Sequence, residues 1–375
     1  MAQAVTFVTA CFLHLLLLDG KFCVKMKRIG NTSIINGGSV MIRGTEELKG
    51  KIILVTGGAG FIGYHLSKQL LEYDCTVIGY DNLNDYYEVQ LKYDRLKDLE
   101  GREGYTFIKG DLADKEALGK LFQEYSFDIV VNLGAQAGVR YSIDNPDAYM
   151  SSNMVGFYNI LECCRHYPVE HLVYASSSSV YGANKKVPFS VEDKVDYPVS
   201  LYAATKKSNE LMAHCYSKLY GIPATGLRFF TVYGPFGRPD MAYFKFAKKI
   251  MNGETIQIYN NGDMMRDFTY IDDIVKGIAN ILPNPPEEIE TGAKYKVYNI
   301  GNNKPEKLMD YIQTLEKHLG REAKKEFLPM QPGDVYQTYA DVSDLMHDFN
   351  FKPSTSIDEG LGKFVTWFKE YYRYE

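Results

Sequence analysis

Tyr202 and Lys206 are the residues of this chain whose types and spacing are best suited to catalysis. They lie four residues apart in Leu-Tyr-Ala-Ala-Thr-Lys, which reads as the start of a helix, so both side chains occupy one helical face. A phenol with a pKa of about 10 is a poor base at neutral pH. One ammonium group about 4 Å away, at an effective dielectric constant near 20, favours the phenolate by roughly 4 kcal/mol. The pair could then take a proton from an alcohol such as a sugar hydroxyl.

The spacing alone is weak evidence, because four other tyrosines are also followed by a lysine four residues later. We interpret those four pairs as ordinary surface or core residues, so the surrounding sequence must distinguish the fifth. The other pairs are Tyr64/Lys68, Tyr93/Lys97, Tyr105/Lys109 and Tyr181/Lys185.

The first element that could position this chemistry is a glycine-rich turn. Residues 51–56 read Lys-Ile-Ile-Leu-Val-Thr, and Gly57, Gly60 and Gly63 follow before a helical pattern that continues to Leu71. An apolar strand that ends in spaced glycines and enters a helix is typical of a phosphate-binding turn. The free amides and the dipole at the helix N-terminus suit a pyrophosphate.

A second buried strand, residues 76–80, ends at Asp81 and Asn82. A carboxylate at this distance beyond the glycine turn can accept hydrogen bonds from the adenosine ribose, and it repels a 2′-phosphate. Asp81 therefore favours NAD over NADP. Capping of a helix is the alternative role for this residue.

Strands continue to alternate with helical patterns as far as residue 230, which predicts an α/β fold with a doubly wound parallel sheet of the Rossmann type. Ligands of such sheets bind beyond the carboxyl ends of the strands. The residues at the predicted ends should therefore converge on one crevice. They are Gly57, Asp81, Asp111, Ala135, Ser177 and Arg228.

Charge and cysteine spacing exclude several classes of protein. The 375 residues carry a formal net charge of -5, which argues against a nucleic-acid-binding protein. The six cysteines show neither metal-ligand spacing nor a disulfide framework. We therefore expect no metal site and a reducing, cytoplasmic location.

Residues 4–18 form an apolar run, and two explanations of it stay open. A helix of that length spans about 22 Å, less than the roughly 30 Å of a bilayer core, and no basic residue precedes it. We expect no membrane insertion, although a targeting segment or anchor is one explanation. The other is a reading frame opened too early, with Met41 as the natural start. Residues 1–50 are thus interpreted as an N-terminal extension, either not native or disordered.

From residue 51 to about residue 371 the chain resembles the extended short-chain dehydrogenase/reductase family, in its sugar-nucleotide epimerase/dehydratase branch. Besides the glycine turn, the segments that carry the resemblance are residues 111–112, 176–182, 202–206 and 266–273. The resemblance implies a tightly held NAD and a smaller C-terminal α/β domain for the substrate. The catalytic residues that it implies are Ser177, Tyr202 and Lys206.

Two features narrow the resemblance to the UDP-glucuronate 4-epimerases. Ser179 stands where dehydratases and decarboxylases of this branch carry an acidic residue, so a simple epimerase is favoured. UDP-galactose 4-epimerases usually carry an Asn where this chain has Thr231, and an Arg near Met330, before the Gly-Asp dipeptide. That missing arginine leaves one phosphate contact open, and Arg238 could replace it. The matching segments are residues 135–141, 176–182, 227–241 and 332–335.

The resemblance also implies binding residues. Those for the cofactor are Gly57, Gly60, Phe61, Ile62, Gly63, Asp81, Asn82, Asp111, Leu112, Leu133, Ala135, Tyr202 and Lys206. Those for the UDP-sugar are Arg140, Ser178, Ser179, Thr231, Arg238, Gln257, Tyr259 and Arg266. The forked guanidinium of Arg266 can bridge phosphate oxygens, whereas its alternative is an ion pair with Asp267 or Asp272. Arg140 either contacts an anion or has a structural role.

The implied reaction is 4-epimerisation of UDP-glucuronate to UDP-galacturonate. Tyr202, ionised beside Lys206 and the positive nicotinamide, takes the proton of the 4-hydroxyl as hydride passes to NAD, and Ser177 relays that proton. The 4-keto sugar then turns over and receives the hydride on its other face.

A 4-keto glucuronate ring is a β-keto acid, which can lose carbon dioxide. We expect Ser178, Ser179 and Thr231 to hold its carboxylate away from the geometry that favours this loss. Three alternatives stay open: epimerisation of another UDP-hexose (UDP-glucose, UDP-galactose or an N-acetylated form), decarboxylation of UDP-glucuronate, and a non-catalytic NAD-binding scaffold. The scaffold is disfavoured because the tyrosine and the lysine are both present.

The expected domains are residues 51–230 for NAD and 231–375 mainly for the substrate, with part of about 270–305 returning to the first. Residues 242–250 read as a surface helix without direct ligand contact. Residues 305–319 and 361–372 are also predicted helices. The resemblance implies a homodimer formed through helices of the NAD domain, and a product used in polysaccharide biosynthesis.

Overall fold

The computed structural model describes residues 32–35, 38–331 and 335–374. The predictions for residues 4–18, and the part of the resemblance at residues 332–334, lie outside the described residues. The described residues before Arg43 form a unit of their own. In it, β1 (Thr32–Ile35) pairs antiparallel with β2 (Gly38–Met41).

The main unit begins at Arg43 and alternates strands with helices. Its strands are β3 (Ile52–Thr56), β4 (Thr76–Asp81), β5 (Tyr105–Lys109), β6 (Ile129–Asn132), β7 (His171–Ser177), β8 (Ala224–Phe229), β9 (Thr231–Tyr233), β10 (Thr255–Ile258), β11 (Met265–Tyr270), β12 (Tyr295–Ile300), β13 (Pro305–Lys307) and β14 (Lys324–Phe327). Its helices are α1 (Phe61–Glu72), α2 (Val89–Leu99), α3 (Lys115–Glu124), α4 (Tyr141–Asp144), α5 (Pro146–Tyr149), α6 (Gly156–His166), α7 (Leu201–Tyr220), α8 (Ala242–Met251), α9 (Ile271–Ile281), α10 (Leu308–Leu319), α11 (Ser343–Phe349) and α12 (Ile357–Tyr372).

Seven strands form one parallel sheet in the order β12-β8-β7-β6-β3-β4-β5. Its central strands β6 and β8 are buried along their whole length, as expected when apolar cores cover both faces of a parallel sheet. This confirms the predicted Rossmann-type α/β fold. The strand order reverses between β3 and β6, which is where ligands bind in such sheets.

Alternate residues of β3 divide the apolar interior into two layers. Ile53 and Val55 face a core that continues into the C-terminal half, where Phe244 and Phe364 belong to it. Leu54 faces a second core on the opposite side of the sheet. One apolar core therefore runs through both halves of the main unit.

The smaller sheets lie in the C-terminal half. Strands β13, β11 and β9 form one of them, and β10 pairs with β14 in the other. The helix predicted over residues 305–319 is shorter than expected, because Pro305–Lys307 pairs antiparallel with β11 and the helix starts at Leu308. The last helix is longer than predicted: it starts at Ile357, where the Ser356 hydroxyl accepts the amide hydrogen of Glu359.

Residues 43–50, which we assigned to the N-terminal extension, pack on the main unit. Leu48 is fully buried, and its carbonyl accepts a hydrogen bond from the Cys75 thiol at 3.3 Å. The Arg43 amide donates to the Asn284 side chain at 2.9 Å. The packing of this segment was not predicted, because a short 3-10 turn with one buried leucine has no periodic pattern. None of the helices in the described part of the chain is long and apolar enough to cross a membrane.

Candidate active site

A cleft of about 790 Å³ opens at the carboxyl ends of the central strands. All residues that the sequence predicted for catalysis, cofactor binding or substrate binding line this cleft. The fold thus brings together side chains that span residues 57 to 266. Their individual roles remain predictions.

The glycine turn between β3 and α1 can only be built with very small residues. Gly57 has a φ of +67°, and a Cβ at Gly63 would lie 2.2 Å from the Gly57 carbonyl oxygen. Gly60 caps α1 without a side-chain hydrogen bond, and the first turn of α1 carries no acidic residue. The helix N-terminus is therefore open towards the cleft, and its amides and dipole favour an anion.

Asp81 ends β4 beside this turn. Its carboxylate accepts the amide hydrogens of Ala59 at 3.3 Å and Leu83 at 2.8 Å, and it lies 3.9 Å from the Lys92 ammonium. These contacts fix the orientation of the acid at the cleft wall. They add a local structural role to the predicted contact with a ribose.

Asn82 and Asp111 contact each other next to Asp81. The Asn82 amide donates to the Asp111 carboxylate at 2.9 Å, and the second oxygen of Asp111 accepts the Ala113 amide hydrogen at 2.8 Å. The ends of β4 and β5 are therefore joined by side chains at the cleft edge.

Tyr202 and Lys206 lie in the first two turns of α7. The helix starts where it does because the Ser200 hydroxyl accepts the Ala203 amide hydrogen at 3.1 Å. The Lys206 ammonium is buried and donates to the Ala175 carbonyl at 3.0 Å. Burial lowers the pKa of Lys206 to about 8.

Two groups besides Lys206 bear on the protonation of Tyr202. Burial raises the pKa of Tyr202, and the groups that act against burial are a hydrogen bond with Ser177 and the positive charge of Arg238. The Lys206 ammonium is itself desolvated and donates to a backbone carbonyl. That Lys206 stabilises the phenolate stays a prediction.

The serine-rich loop follows β7. The Ser177 hydroxyl accepts the Ser179 amide hydrogen at 3.1 Å and so starts a 3-10 turn over Ser178–Tyr181. Ser178 and Ser179 line the cleft, as does Thr231 at the start of β9. Neutral hydroxyl groups therefore come from the loop after β7 and from the start of β9.

A buried ion pair lies behind this loop. Arg228 of β8 donates through Nε and Nη2 to the two carboxylate oxygens of Glu210 of α7, at 2.8 and 2.9 Å. The Ser176 hydroxyl also donates to Glu210, at 2.7 Å, and Arg228 Nη1 donates to the Tyr181 hydroxyl at 3.0 Å. The pair therefore joins α7 to both ends of the serine loop. We call this set of four residues the Glu210–Arg228 network.

Arg238 forms a fork with Asp240. Its Nε and Nη2 donate to the two carboxylate oxygens at 3.0 and 2.5 Å, and the Tyr86 hydroxyl donates to the same carboxylate at 3.2 Å. Although burial opposes it, the Arg238 charge lowers the pKa of the Asp240 carboxyl. That charge also acts on Tyr202. The contact of Arg238 with a phosphate stays a prediction.

Arg140 and Tyr259 join the two walls of the cleft. The Arg140 guanidinium carbon lies 5.1 Å from the centroid of the Tyr259 ring, a cation–π contact. The Tyr259 hydroxyl donates to the Gln257 side chain at 3.3 Å. Arg266 lines the same region, and its Nη1 donates to the Tyr336 carbonyl at 3.0 Å.

Asp267, one of the acids considered as a partner of Arg266, is occupied by backbone amides. Its oxygens accept amide hydrogens from Asn302, Asn303 and Ala340 at 2.7 to 3.1 Å. Burial raises the pKa of this carboxyl, and the amides act against that rise. The acid therefore has a structural role at the end of β12.

Helix α8, predicted over residues 242–250, covers Ala242–Met251. Tyr243, Phe244 and Ala247 are buried in the core, as an amphipathic helix requires. Lys245 and Lys249 line the cleft on another face of the same helix. Periodicity identifies the apolar face of a helix but not what lies opposite the polar one, and the absence of direct ligand contact stays a prediction.

Helix α2 carries two buried cations that were not predicted from the sequence. Lys92 and Arg95 are 4% and 0% exposed, and they alternate with the buried Leu91, Leu96 and Leu99. The available signal was a basic residue at a buried position of an amphipathic helix. Such residues are rarely fully buried without a partner.

The model of the NAD dependent epimerase/dehydratase family matches residues 53–301. The chain belongs to this family. NAD is accordingly the cofactor of this family member, and the geometry of the glycine turn fits it: any side chain at Gly63 would fill the space against the Gly57 carbonyl.

Three similar proteins match this chain over nearly their full lengths. Protein CapI of Staphylococcus aureus is 57% identical over 332 residues, covering 86% of this chain and 99% of that protein. A probable UDP-glucuronate 4-epimerase of Rhizobium meliloti is 46% identical and covers 85% of this chain and 97% of that protein. The crystal structure of a UDP-glucuronic acid 4-epimerase from Bacillus cereus, in complex with UDP-glucuronic acid and NAD, is 36% identical with a TM-score of 0.78. It covers 86% of this chain and 100% of that one.

Proposed function

We propose that this chain is a UDP-sugar 4-epimerase, and that its substrate is UDP-glucuronate, which it converts to UDP-galacturonate. The observation that carries the proposal is the presence in one cleft of Tyr202 and Ser177, together with three neutral hydroxyl side chains from the end of β7 and the start of β9. The Rhizobium meliloti and Bacillus cereus proteins, which carry the name of this activity, support the choice of sugar.

The cofactor end of the cleft is suited to a dinucleotide. The N-terminus of α1 would hold the diphosphate, and Asp81 would accept hydrogen bonds from the ribose. When bound, NAD supplies an acceptor for the hydrogen of sugar carbon 4 and returns that hydrogen at the end of the cycle.

Tyr202 would hold and move the proton of the sugar 4-hydroxyl. Burial keeps this phenol protonated, so base catalysis requires nearby positive charge and hydrogen bonds to stabilise the phenolate. Ser177 and Arg238 act in that direction in the protein. Ser177 would also pass the proton between the phenol and the substrate oxygen.

The carboxylate of the sugar would be held by hydroxyl groups. Ser178, Ser179 and Thr231 are neutral donors, so they can bind a carboxylate without competing for the catalytic proton. An acidic residue in the loop would repel this substrate. Firm binding of the carboxylate would also keep the keto acid from the conformation that loses carbon dioxide.

The decisive experiment is incubation of purified protein with UDP-glucuronate, with products resolved by chromatography and proton NMR. We expect UDP-galacturonate without added NAD, and a loss of about a thousandfold or more in rate for Tyr202→Phe. A panel of UDP-glucose and UDP-N-acetylglucosamine tests the alternative sugars. Conversion of those sugars but not of UDP-glucuronate would contradict the proposed substrate while leaving the epimerase intact.

Thr231→Ala tests the role assigned to the hydroxyl groups. We expect a higher ratio of released carbon dioxide to epimerised product, because the carboxylate loses one donor. Thr225→Ala is the matched control, since this buried threonine of β8 bonds to His171 instead. An unchanged rate and product ratio in Thr231→Ala would contradict the role.

We also propose that the chain forms a homodimer through α6 and α7. Leu211 and Leu219 of α7 are 60% and 64% exposed, and Tyr158 of the neighbouring α6 is 38% exposed. Grouped exposed apolar side chains mark protein interfaces. Sedimentation should give a dimer, and Leu211→Lys should give a monomer. A wild-type monomer at micromolar concentration would contradict this.

The location that we propose is the cytoplasm. Cys75, Cys163, Cys164 and Cys215 are free thiols, which suits a reducing compartment. Fractionation of cells that express the natural gene, followed by detection of the chain, tests the location. Recovery of the protein outside the cytoplasmic fraction would contradict it.

A further inference from the structure

Arg95 on α2 is a fully buried cation whose hydrogen-bond partners are all neutral. Its Nη1 donates to the Ala59 carbonyl at 2.8 Å and to the Tyr87 hydroxyl at 2.7 Å. Nε and Nη2 donate to the Phe236 carbonyl at 3.1 and 2.7 Å, and Nη2 also donates to the Gly237 carbonyl at 3.3 Å. The guanidinium is therefore satisfied in hydrogen bonds but not in charge.

The surroundings of Arg95 add positive charge. Among the ion pairs formed by the described residues, none includes Arg95, and Lys92 is the neighbouring buried cation. Both cations lie over the ring of Tyr87, at 5.0 Å for the Lys92 ammonium and 5.5 Å for the Arg95 guanidinium carbon. Asp81 is within ion-pair distance of Lys92. Asp81 and Asp85 both act on Lys92, but neither forms an ion pair with Arg95. An unpaired buried charge is costly unless an anion offsets it.

The contacts of Arg95 connect two parts of the cleft. Ala59 lies inside the glycine turn, so the guanidinium sits behind the surface that receives the diphosphate. Phe236 and Gly237 belong to the loop that leads directly to Arg238. That loop is fixed further by Phe236, whose ring centroid lies 4.9 Å from that of Trp367 in α12.

We propose that Arg95 is a positioning residue that retains NAD: its uncompensated charge is offset by the diphosphate of the bound dinucleotide. Its hydrogen bonds hold the glycine turn and the loop before Arg238 in one arrangement. Arg95 does not line the cleft, so it acts through the Ala59 carbonyl and through its field, without touching the cofactor. This role is independent of which UDP-sugar is converted.

The test measures how fast NAD leaves the purified holoenzyme. The protein is diluted, and free NAD is separated and quantified over time. Arg95→Met keeps the approximate shape without the charge, and we expect NAD to dissociate about tenfold faster or more. Arg95→Lys keeps the charge, and we expect a rate within about threefold of wild type.

The matched control is Arg102→Met, which removes the same charge near the end of the same helix. Arg102 is about one-third exposed and is paired with Asp98 at 3.4 Å, so NAD release should be unchanged. An NAD release rate in folded Arg95→Met equal to that of wild type would overturn the proposal. A rate in Arg95→Lys as fast as in Arg95→Met would overturn the role of the charge.

A second measurement covers the case in which Arg95→Met fails to fold. NAD release from the wild-type holoenzyme is followed at several sodium chloride concentrations. Salt screens exposed charges strongly and buried charges weakly, so we expect a change of less than about twofold between 0.05 and 0.5 M. A steep increase with salt would show that exposed charges retain the cofactor, and would overturn the proposal.

Discussion

The two ends of the cleft are built from different parts of the chain. At the cofactor end, the shape comes from the backbone: a positive φ at Gly57, a close approach at Gly63 and an open helix N-terminus. The other end contains the side chains that we propose as sugar ligands, and we call it the sugar end. Its shape comes from side chains, above all the Glu210–Arg228 network and the Arg238–Asp240 fork. The backbone groups come from one short stretch of the chain, whereas the Glu210–Arg228 network joins side chains of β7, α7 and β8. Damage to one end should therefore leave the other end working.

Glu210→Gln should give the largest effect and should be confined to the sugar end. The change leaves Arg228 as a buried charge without its partner, which costs about 3–5 kcal/mol of unfolding free energy. It also weakens the hydrogen bond that the Ser176 hydroxyl donates to residue 210. We therefore expect kcat to fall while bound NAD is retained. Denaturant unfolding, kcat and NAD content are the measurements.

Glu170→Gln is the control for this prediction. Glu170 pairs with Lys51 at 2.5 Å, but its side chain is 53% exposed, so its loss should cost less than about 1 kcal/mol. If Glu210→Gln instead lost NAD with kcat unchanged, the two ends would not be separable in this way.

His171 provides a test through pH. It is fully buried at the start of β7, where Nδ1 contacts the Leu282 carbonyl and Nε2 contacts the Thr225 hydroxyl. Burial lowers its pKa from 6.5 to about 4. Between pH 6.5 and 4, His171 is protonated in the unfolded chain but neutral in the folded chain. The free energy of unfolding therefore decreases as the pH falls from 6.5 to 4. The loss amounts to about 3 kcal/mol.

Chemical denaturation at several pH values checks this loss, with His171→Gln and His347→Gln compared. His347 is 58% exposed, so its replacement should leave the pH dependence as in wild type. His171→Gln should flatten the curve. Equal curves for the two variants would contradict the assignment.

Gly63→Ala should damage the cofactor end alone. The added Cβ would lie 2.2 Å from the Gly57 carbonyl oxygen, which forces the turn to shift at a cost of about 2 kcal/mol. We expect NAD to be lost during purification while UDP still binds, as measured by calorimetry. Gly119→Ala in α3 is the control, because nothing lies within 4 Å of its Cβ, and it should stabilise the helix slightly.

Ser200→Ala should give the smallest effect, and it separates stability from catalysis. Ser200 caps α7 next to Tyr202, and Ser356 caps α12 in the same way. Each alanine variant should cost about 1 kcal/mol. Only Ser200→Ala should lower kcat, because only that cap fixes the catalytic turn. Equal kcat values would show that the start of α7 is held by other contacts.

Local patterns predicted the Rossmann-type fold and the convergence of the strand-end residues, whereas the resemblance to the family implied the other residues that line the cleft. Spaced glycines after an apolar strand require a tight turn, and a polar residue after a strand must lie at the sheet edge. The start of α10 was predicted three residues early because tertiary pairing with β11 overrides a helical pattern. Such pairing has no local signature.

The electrostatics could not be predicted in the same way. Burial raises the pKa of Tyr202, and the charge of Arg238, which is distant in sequence, acts against that rise. Lys92 and Arg95 were missed because a basic residue on a helix normally faces water. A spacing shows which residues share a face, but it does not show the polarity of what covers them.

Strand β12 has a consequence for how the chain is made. It completes the central sheet by pairing with β8, in a register that matches Tyr295 with Ala224. During synthesis β8 leaves the ribosome well before β12, since β9 to β11 and two helices lie between them. Until β12 is synthesised, one edge of β8 has no hydrogen-bonding partner strand, and this edge can pair with another nascent chain. A ribosome that stalls between these strands would therefore release a product prone to aggregation, although its glycine turn and catalytic helix are already complete.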